Sequence, residues 1–291
     1  LCIAGKGRIM SLPKSNQDIK VAVVQPNVNP NTKWQNKKEI IALMDSLHQE
    51  SIKLKPELIV FPETALPSYL VRDNRTRGAL QSTVNSSDIP LLTGTIHTSF
   101  ENNSRYYYNS SMFIIPQKKY ELYSKIHLVP FAEYDLIPSI FHPLTKLNIN
   151  IDRGNFKSGN NYKVFKHENL LFSNLICYES SIPNISRTFV SKGAEFLIIQ
   201  ANDGWLGSSF GPYQHFEMAR LRAIENRIPV VRCANTGISG IINFDGSVKI
   251  KVKLNEEKII FESLRTNKNG SFYTKYGDIF AFIISIIILI V

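Results

Sequence analysis

Short apolar runs recur along this chain with helical patterns between them, and those ending near Glu63, Lys125, Cys177 and Asn202 deliver polar residues at their C-terminal ends. Such alternation commits a chain to an α/β fold, in which chemistry gathers at the carboxyl ends of strands. Residues 19–28 (IKVAVVQPNV) are rich in β-branched side chains and interrupted at Pro26, as expected of a buried strand with its exit loop. Over residues 33–54, Ile40, Met44 and Leu47 recur at helical spacing, predicting an amphipathic helix laid on a sheet. A second buried strand at 57–61 runs straight into Pro62, Glu63 and Thr64. Further strands are predicted at 89–96, 107–115 and 119–125, with a longer pair spanning 162–177. A helix to about residue 192, a strand at 195–200, a Gly, Ser and aromatic loop at 202–212, a helix at 213–227 and the strand PVVRCAN follow. Asp245-Gly246 marks a tight hairpin, because both central residues of such a turn need positive φ. No composition break divides residues 18–270, which read as one domain.

Three residues draw attention as a set. Cys177 stands in NLICYES, at the end of an apolar stretch; alone it would be an ordinary small core residue. Glu63, in VFPETALP, sits at the mouth of a buried strand, where a charge is expensive without a partner or a task. Lys125, in YSKIHLVPFAEY, precedes a largely apolar segment; alone it would be a surface lysine. Together they supply what thiol catalysis needs. A carboxylate in a partly desolvated pocket becomes basic enough to take the thiol proton, and an ammonium offsets the charge that develops on an attacked carbonyl oxygen.

Glu, Lys and Cys in this order and setting resemble the catalytic triad of the nitrilase superfamily. Within it, VAVVQPNV, FPETALP, YSKIHLVPFAEY, LICYES, the stretch from NDGWLG to TGISGII, and the segment 273–278 resemble the apolipoprotein N-acyltransferase family over nearly the whole chain. The resemblance implies an α-β-β-α sandwich on the periplasmic face of the bacterial inner membrane. It implies an enzyme that takes an acyl chain from phospholipid as a thioester and passes it to the N-terminal amine of a diacylglyceryl-cysteine lipoprotein. It casts Cys177 as nucleophile, Glu63 as base and Lys125 as oxyanion partner, with Glu133, Tyr178 and Glu179 in support: Glu133 to orient Lys125, the other two to shape the site. No cofactor or metal is implied. FAEY carries Ala132 where the family commonly has glycine, and the membrane bundle usual before the domain is missing ahead of residue 18, so a fragment or a subunit with a separate membrane partner is expected.

The ends fit that picture. Residues 1–17 read as a lead-in without the apolar core of a signal peptide. Residues 279–291 (IFAFIISIIILIV) carry no charge and no polar face, and are expected to begin a transmembrane helix although they are shorter than the ~20 residues a span needs. The composition, 43% hydrophobic and 20% charged, supports a sizeable core. A net charge of +10 permits contact with an anionic membrane; the lysines are scattered, Lys249, Lys251 and Lys253 alternate as one solvated strand face, and no nucleic-acid-binding motif is present. Three cysteines, Cys2, Cys177 and Cys233, lie far apart without a CxxC pair, and HExxH, P-loop and GxGxxG patterns are missing. Competing possibilities are a soluble nitrilase-type amidase with the same three residues, a papain-like pairing of Cys177 with His127 or His215, and a catalytically silent membrane-anchored binding module. His215, near the start of its helix, is expected to make a structural hydrogen bond instead.

Overall fold

In the first strand, β1 (Asp18–Gln25), successive side chains enter different cores: Ile19, Val21 and Val23 join one buried cluster, Ala22 and Val24 another. Both faces are covered, which is why the run reads as continuously apolar. The computed structural model describes residues 18–101, 104–130, 132–133, 156–207 and 209–290.

The first sheet has the order β12-β1-β2-β3-β4-β5, built from β2 (Leu58–Val60), β3 (Leu91–Glu101), β4 (Ser104–Ile114), β5 (Glu121–Ser124) and β12 (Lys258–Arg265). The second runs β11-β10-β9-β8-β7-β6, from β6 (Phe165–His167), β7 (Leu170–Ile176), β8 (Phe196–Ala201), β9 (Val230–Ala234), β10 (Gly240–Ile242) and β11 (Val248–Lys251). Each has a parallel centre, β1-β2-β3 or β7-β8-β9, with antiparallel edges. Helices α1 (Lys37–Lys53) and α2 (Asn74–Ser87) cover the first sheet through Met44, Leu47, Leu80 and Val84. Helices α3 (Pro183–Ser191) and α4 (Gly211–Asn226) add Ile185, Phe189, Phe216, Ala219 and Ala223 to the cluster shared by both sheets. This is the nitrilase-type α/β fold with two sheets.

Two elements escape the sequence patterns. Helix α2 is polar apart from Leu80 and Val84, and Asp73 starts it by accepting from the Thr76 N–H at 3.0 Å. Strand β12 mixes Lys, Glu, Ser and Arg with its apolar residues because it lies at a sheet edge, paired with β1 over eight residues. The helix expected directly after Cys177 begins instead as a 3₁₀ turn, Cys177–Ser181, with α3 starting at Pro183, a residue suited to a first helical turn. Lys249, Lys251 and Lys253 are exposed as expected.

The lead-in, residues 1–17, lies outside the described residues. After α5 (Phe272–Tyr276), the apolar run forms α6 (Ile279–Ile290), twelve residues with no buried side chain. The expected transmembrane span is not found: no helix among the described residues is long and apolar enough to cross a membrane.

Candidate active site

Glu63 follows β2 in a tight turn. Thr64 next to it has φ +43°, which a β-branched residue seldom adopts, and Gly94 on β3 supports the turn from beneath. A Cβ on Gly94 would stand 2.6 Å from both Glu63 Cα and Pro62 O, so only glycine lets the Glu63 peptide lie this close.

Lys125 leaves β5 with its backbone N–H on Asn109 O (2.8 Å) and its side chain 1% exposed. Its Nζ lies 2.7 Å from Glu133 Oε2, and that oxygen also accepts from the Val129 N–H at 2.7 Å. Asn109 on β4 joins the carboxylates, its Nδ2 donating to Glu63 Oε1 (2.7 Å) and Glu133 Oε1 (3.0 Å). Burial would lower the Lys125 ammonium, but Glu63, Cys177 and Glu133 outweigh it and hold the group above its ordinary value. Glu63 is raised chiefly by burial and further by Glu133, with Lys125 and the Asn109 hydrogen bond pulling the other way.

Cys177 opens its 3₁₀ turn with φ +50°, a strained left-handed conformation between strand and helix. Burial and the Glu63 charge push its thiol up, against Lys125 and the Asn202 N–H. Glu63 and Lys125 thus both act on the sulfur, from strands of the opposite sheet. A buried polar latch ties the sheets behind them: Gln200 on β8 donates to Phe61 O and accepts from Ser111, and Asn174 donates to both Ser111 and Gln200.

The supporting residues divide. Glu133 contacts Lys125 directly. Glu179, fully buried, accepts from Ile176 N–H (2.8 Å), Ile126 N–H (2.6 Å), His127 N–H (3.2 Å) and Tyr123 Oη (2.7 Å), so it staples the cysteine turn to the lysine strand. Tyr178 is exposed at the turn's surface.

Several residues carry no signal in the sequence. Asn109 is an isolated amide in a strand after three tyrosines. His215 does make a structural hydrogen bond, and it belongs to a larger set. Its Nδ1 lies 2.7 Å from Asp203 Oδ1, and its Nε2 lies 2.7 Å from Ser180 Oγ and 3.0 Å from the Cys177 carbonyl. Arg232, fully buried, clasps Asp203 at 2.8 Å and 3.2 Å, and with His215 keeps that carboxyl down at about 2 although burial alone would raise it. His215 therefore faces the backbone of Cys177, and His127 is exposed, which removes the support for a papain-like pair. Cys233 is buried, its Sγ donating to Val24 O and Val60 O; Cys2 lies outside the described residues. Among the described residues no group of three or more His, Cys, Asp or Glu could hold a metal ion.

A thiol on a strained turn, a desolvated carboxylate and a buried ammonium can together attack a carbonyl carbon and stabilise the resulting oxyanion. Known proteins share both sequence and shape. The chain is 32% identical over 94% of its length to an apolipoprotein N-acyltransferase of Geobacter metallireducens, of which it covers 53%. It is 34% identical over its whole length to that of Rickettsia typhi, of which it covers 58%. The chain thus spans little more than half the length of these relatives. Among solved structures, an amidase from Nesterenkonia superposes with a TM-score of 0.65 at 15% identity, over 87% of this chain and 92% of that one. A carbon-nitrogen hydrolase from Helicobacter pylori does so with 0.65 at 16%, over 85% and 89%. The carbon-nitrogen hydrolase pattern itself runs through residues 20–271, across both sheets and every residue of the cluster around Cys177, and this chain belongs to that family.

Proposed function

We propose that this chain is the catalytic domain of a membrane-associated apolipoprotein N-acyltransferase that works through a Cys177 thioester. Glu63 takes the thiol proton as Sγ attacks the ester carbonyl of a phospholipid, and Lys125 Nζ stabilises the oxyanion. The tetrahedral adduct expels a lysophospholipid alkoxide, which receives the proton from Glu63, leaving acyl-Cys177. The free α-amine of a diacylglyceryl-cysteine lipoprotein then attacks the thioester; Glu63 accepts the amine proton, the amide forms, and the departing thiolate regains the proton. Glu133 orients Lys125, Glu179 fixes the cysteine turn and Tyr178 borders the approach. The observation that carries the mechanism is the buried chain Glu63, Asn109, Glu133 and Lys125 acting on Cys177. The relatives' name supports the substrate class.

Membrane association draws support from α6, whose uncharged residues offer apolar surface on all sides. Trp205 and Phe210, in the loop after β8 that also supplies Asn202 to the thiol, are 67% and 81% exposed, as side chains meeting lipid would be. We read α6 as an apolar surface able to rest against the membrane.

A nitrilase-type amidase is the second possibility, since the superposed Nesterenkonia enzyme has this fold. The two differ in the lifetime of the thioester. Phospholipid supplied without an acceptor should leave a stable acyl mass on the Cys177 peptide, removable by hydroxylamine and discharged by a diacylated lipopeptide. Steady release of free fatty acid with no acyl-Cys177 in the mass spectrum would identify a hydrolase and refute the transferase.

A further inference from the structure

Lys33 lies in the turn before α1 and is 4% exposed, an uncommon place for an ammonium. It forms no ion pair among the described residues. Its Nζ donates to the carbonyl of Thr64, the positive-φ residue that directly follows Glu63. Since Gly94 packs under the same turn, the peptide bearing Glu63 is gripped on one side by close backbone contact and on the other by a buried cation.

We propose that Lys33 is a positioning residue for the general base, holding the Thr64 peptide and biasing the Glu63 carboxylate toward its ionised form. The inference rests on Glu63 being the base of the proposed reaction. The groups facing Glu63 favour this role. Lys125 attracts the carboxylate and Asn109 donates to it, whereas Glu133 and Asp203 repel it, and the Cys177 thiol completes the set. A second cation opposes the two carboxylates. On the lysine itself burial brings the ammonium down to about 8, and the Glu63 charge resists that fall.

The test is the pH dependence of Cys177 alkylation by iodoacetamide, which needs no lipid. Lys33→Met should move the acid limb of the profile upward by about one pH unit, so that alkylation on that limb is about tenfold slower. Lys33→Arg should bring the limb back toward its original position. Lys33→Gln keeps a donor for Thr64 O without the charge; it should show the same upward shift as Met and carries the test if Met does not fold. Glu63→Gln is the control, and loss of the acid limb there identifies Glu63 as the titrating group. With that control satisfied, an unmoved limb in a folded Lys33→Met or Lys33→Gln protein overturns the proposal. An acid limb that persists in Glu63→Gln counts instead against Glu63 as the base.

Discussion

Replacing Glu179 by Gln tests whether the cysteine turn is built by one carboxylate. Oε1 accepts from Tyr123 Oη, Ile126 N–H and His127 N–H, while Oε2 accepts from Ile176 N–H. A glutamine oxygen can keep the first three partners, but its NH₂ then faces the Ile176 N–H, donor against donor. The protein loses one buried hydrogen bond, leaves an N–H unpaired at roughly 1–3 kcal/mol, and gives up the charge assistance of the others, so about 2–4 kcal/mol of destabilisation is expected. Ile176 immediately precedes Cys177, so the strained φ +50° should relax and displace the thiol. Urea unfolding gives the stability change, and Cys177 acylation at a temperature where the variant is fully folded gives the catalytic one. A fall in stability below about 0.5 kcal/mol with unchanged acylation would refute the staple, because the buried donors would then be satisfied without the charge.

Lys125→Met should reduce acyl transfer by ~10² or more, and should also destabilise the fold by about 3 kcal/mol because buried Glu63 and partly buried Glu133 lose their cation; adding Glu133→Gln should recover part of the stability without recovering activity, and recovery of both in the double variant would make the lysine structural only. His48 is fully buried with neither ring nitrogen partnered among the described residues, and burial takes it down to about 4. The unfolded chain binds its proton near pH 6.5 and the folded chain does not, so stability should drop as pH falls through that window, by roughly 3 kcal/mol at pH 4, and His48→Leu should abolish that part of the pH dependence; identical acid profiles for the two proteins in urea titrations would rule this out. Iodoacetamide should label Cys177 well before Cys233, whose sulfur lies inside β9 with two carbonyl partners; faster labelling of Cys233 in peptide mapping would contradict the buried placement.

What could be seen in the sequence was whatever depends on local pattern. The run before Glu63 and the one before Cys177 are apolar because β2 and β7 are covered on both faces, and that shows in the residues themselves. Helix α2 lacks such a stripe; its polar surface hides a two-residue contact with the core. Glu63, Lys125 and Cys177, which the structure brings together, stand out in the sequence through their motifs, but Asn109 does not, since joining Glu63 to Glu133 requires three segments far apart in the chain to meet. Glu179 was expected beside the reacting groups. Its four donors come from β5, the loop after it and the end of β7, so its part as a staple emerges only once the two sheets are stacked.

The stacking also explains how a carboxylate can deprotonate a thiol in a site that penalises both charges. Burial raises Glu63 and Cys177 alike, and Asp203 repels both anions. Moving the proton from Sγ to Glu63 relocates a negative charge and creates none, so the common part of these effects cancels in the transfer and only the difference between the two positions remains. Lys125 is attracted to both, and Glu133 holds it at 2.7 Å where it can serve either. When the charge passes on from sulfur to the oxyanion, the same ammonium is already placed to meet it. In the proposed mechanism Glu133 keeps Lys125 fixed while the negative charge moves between Glu63, sulfur and oxygen.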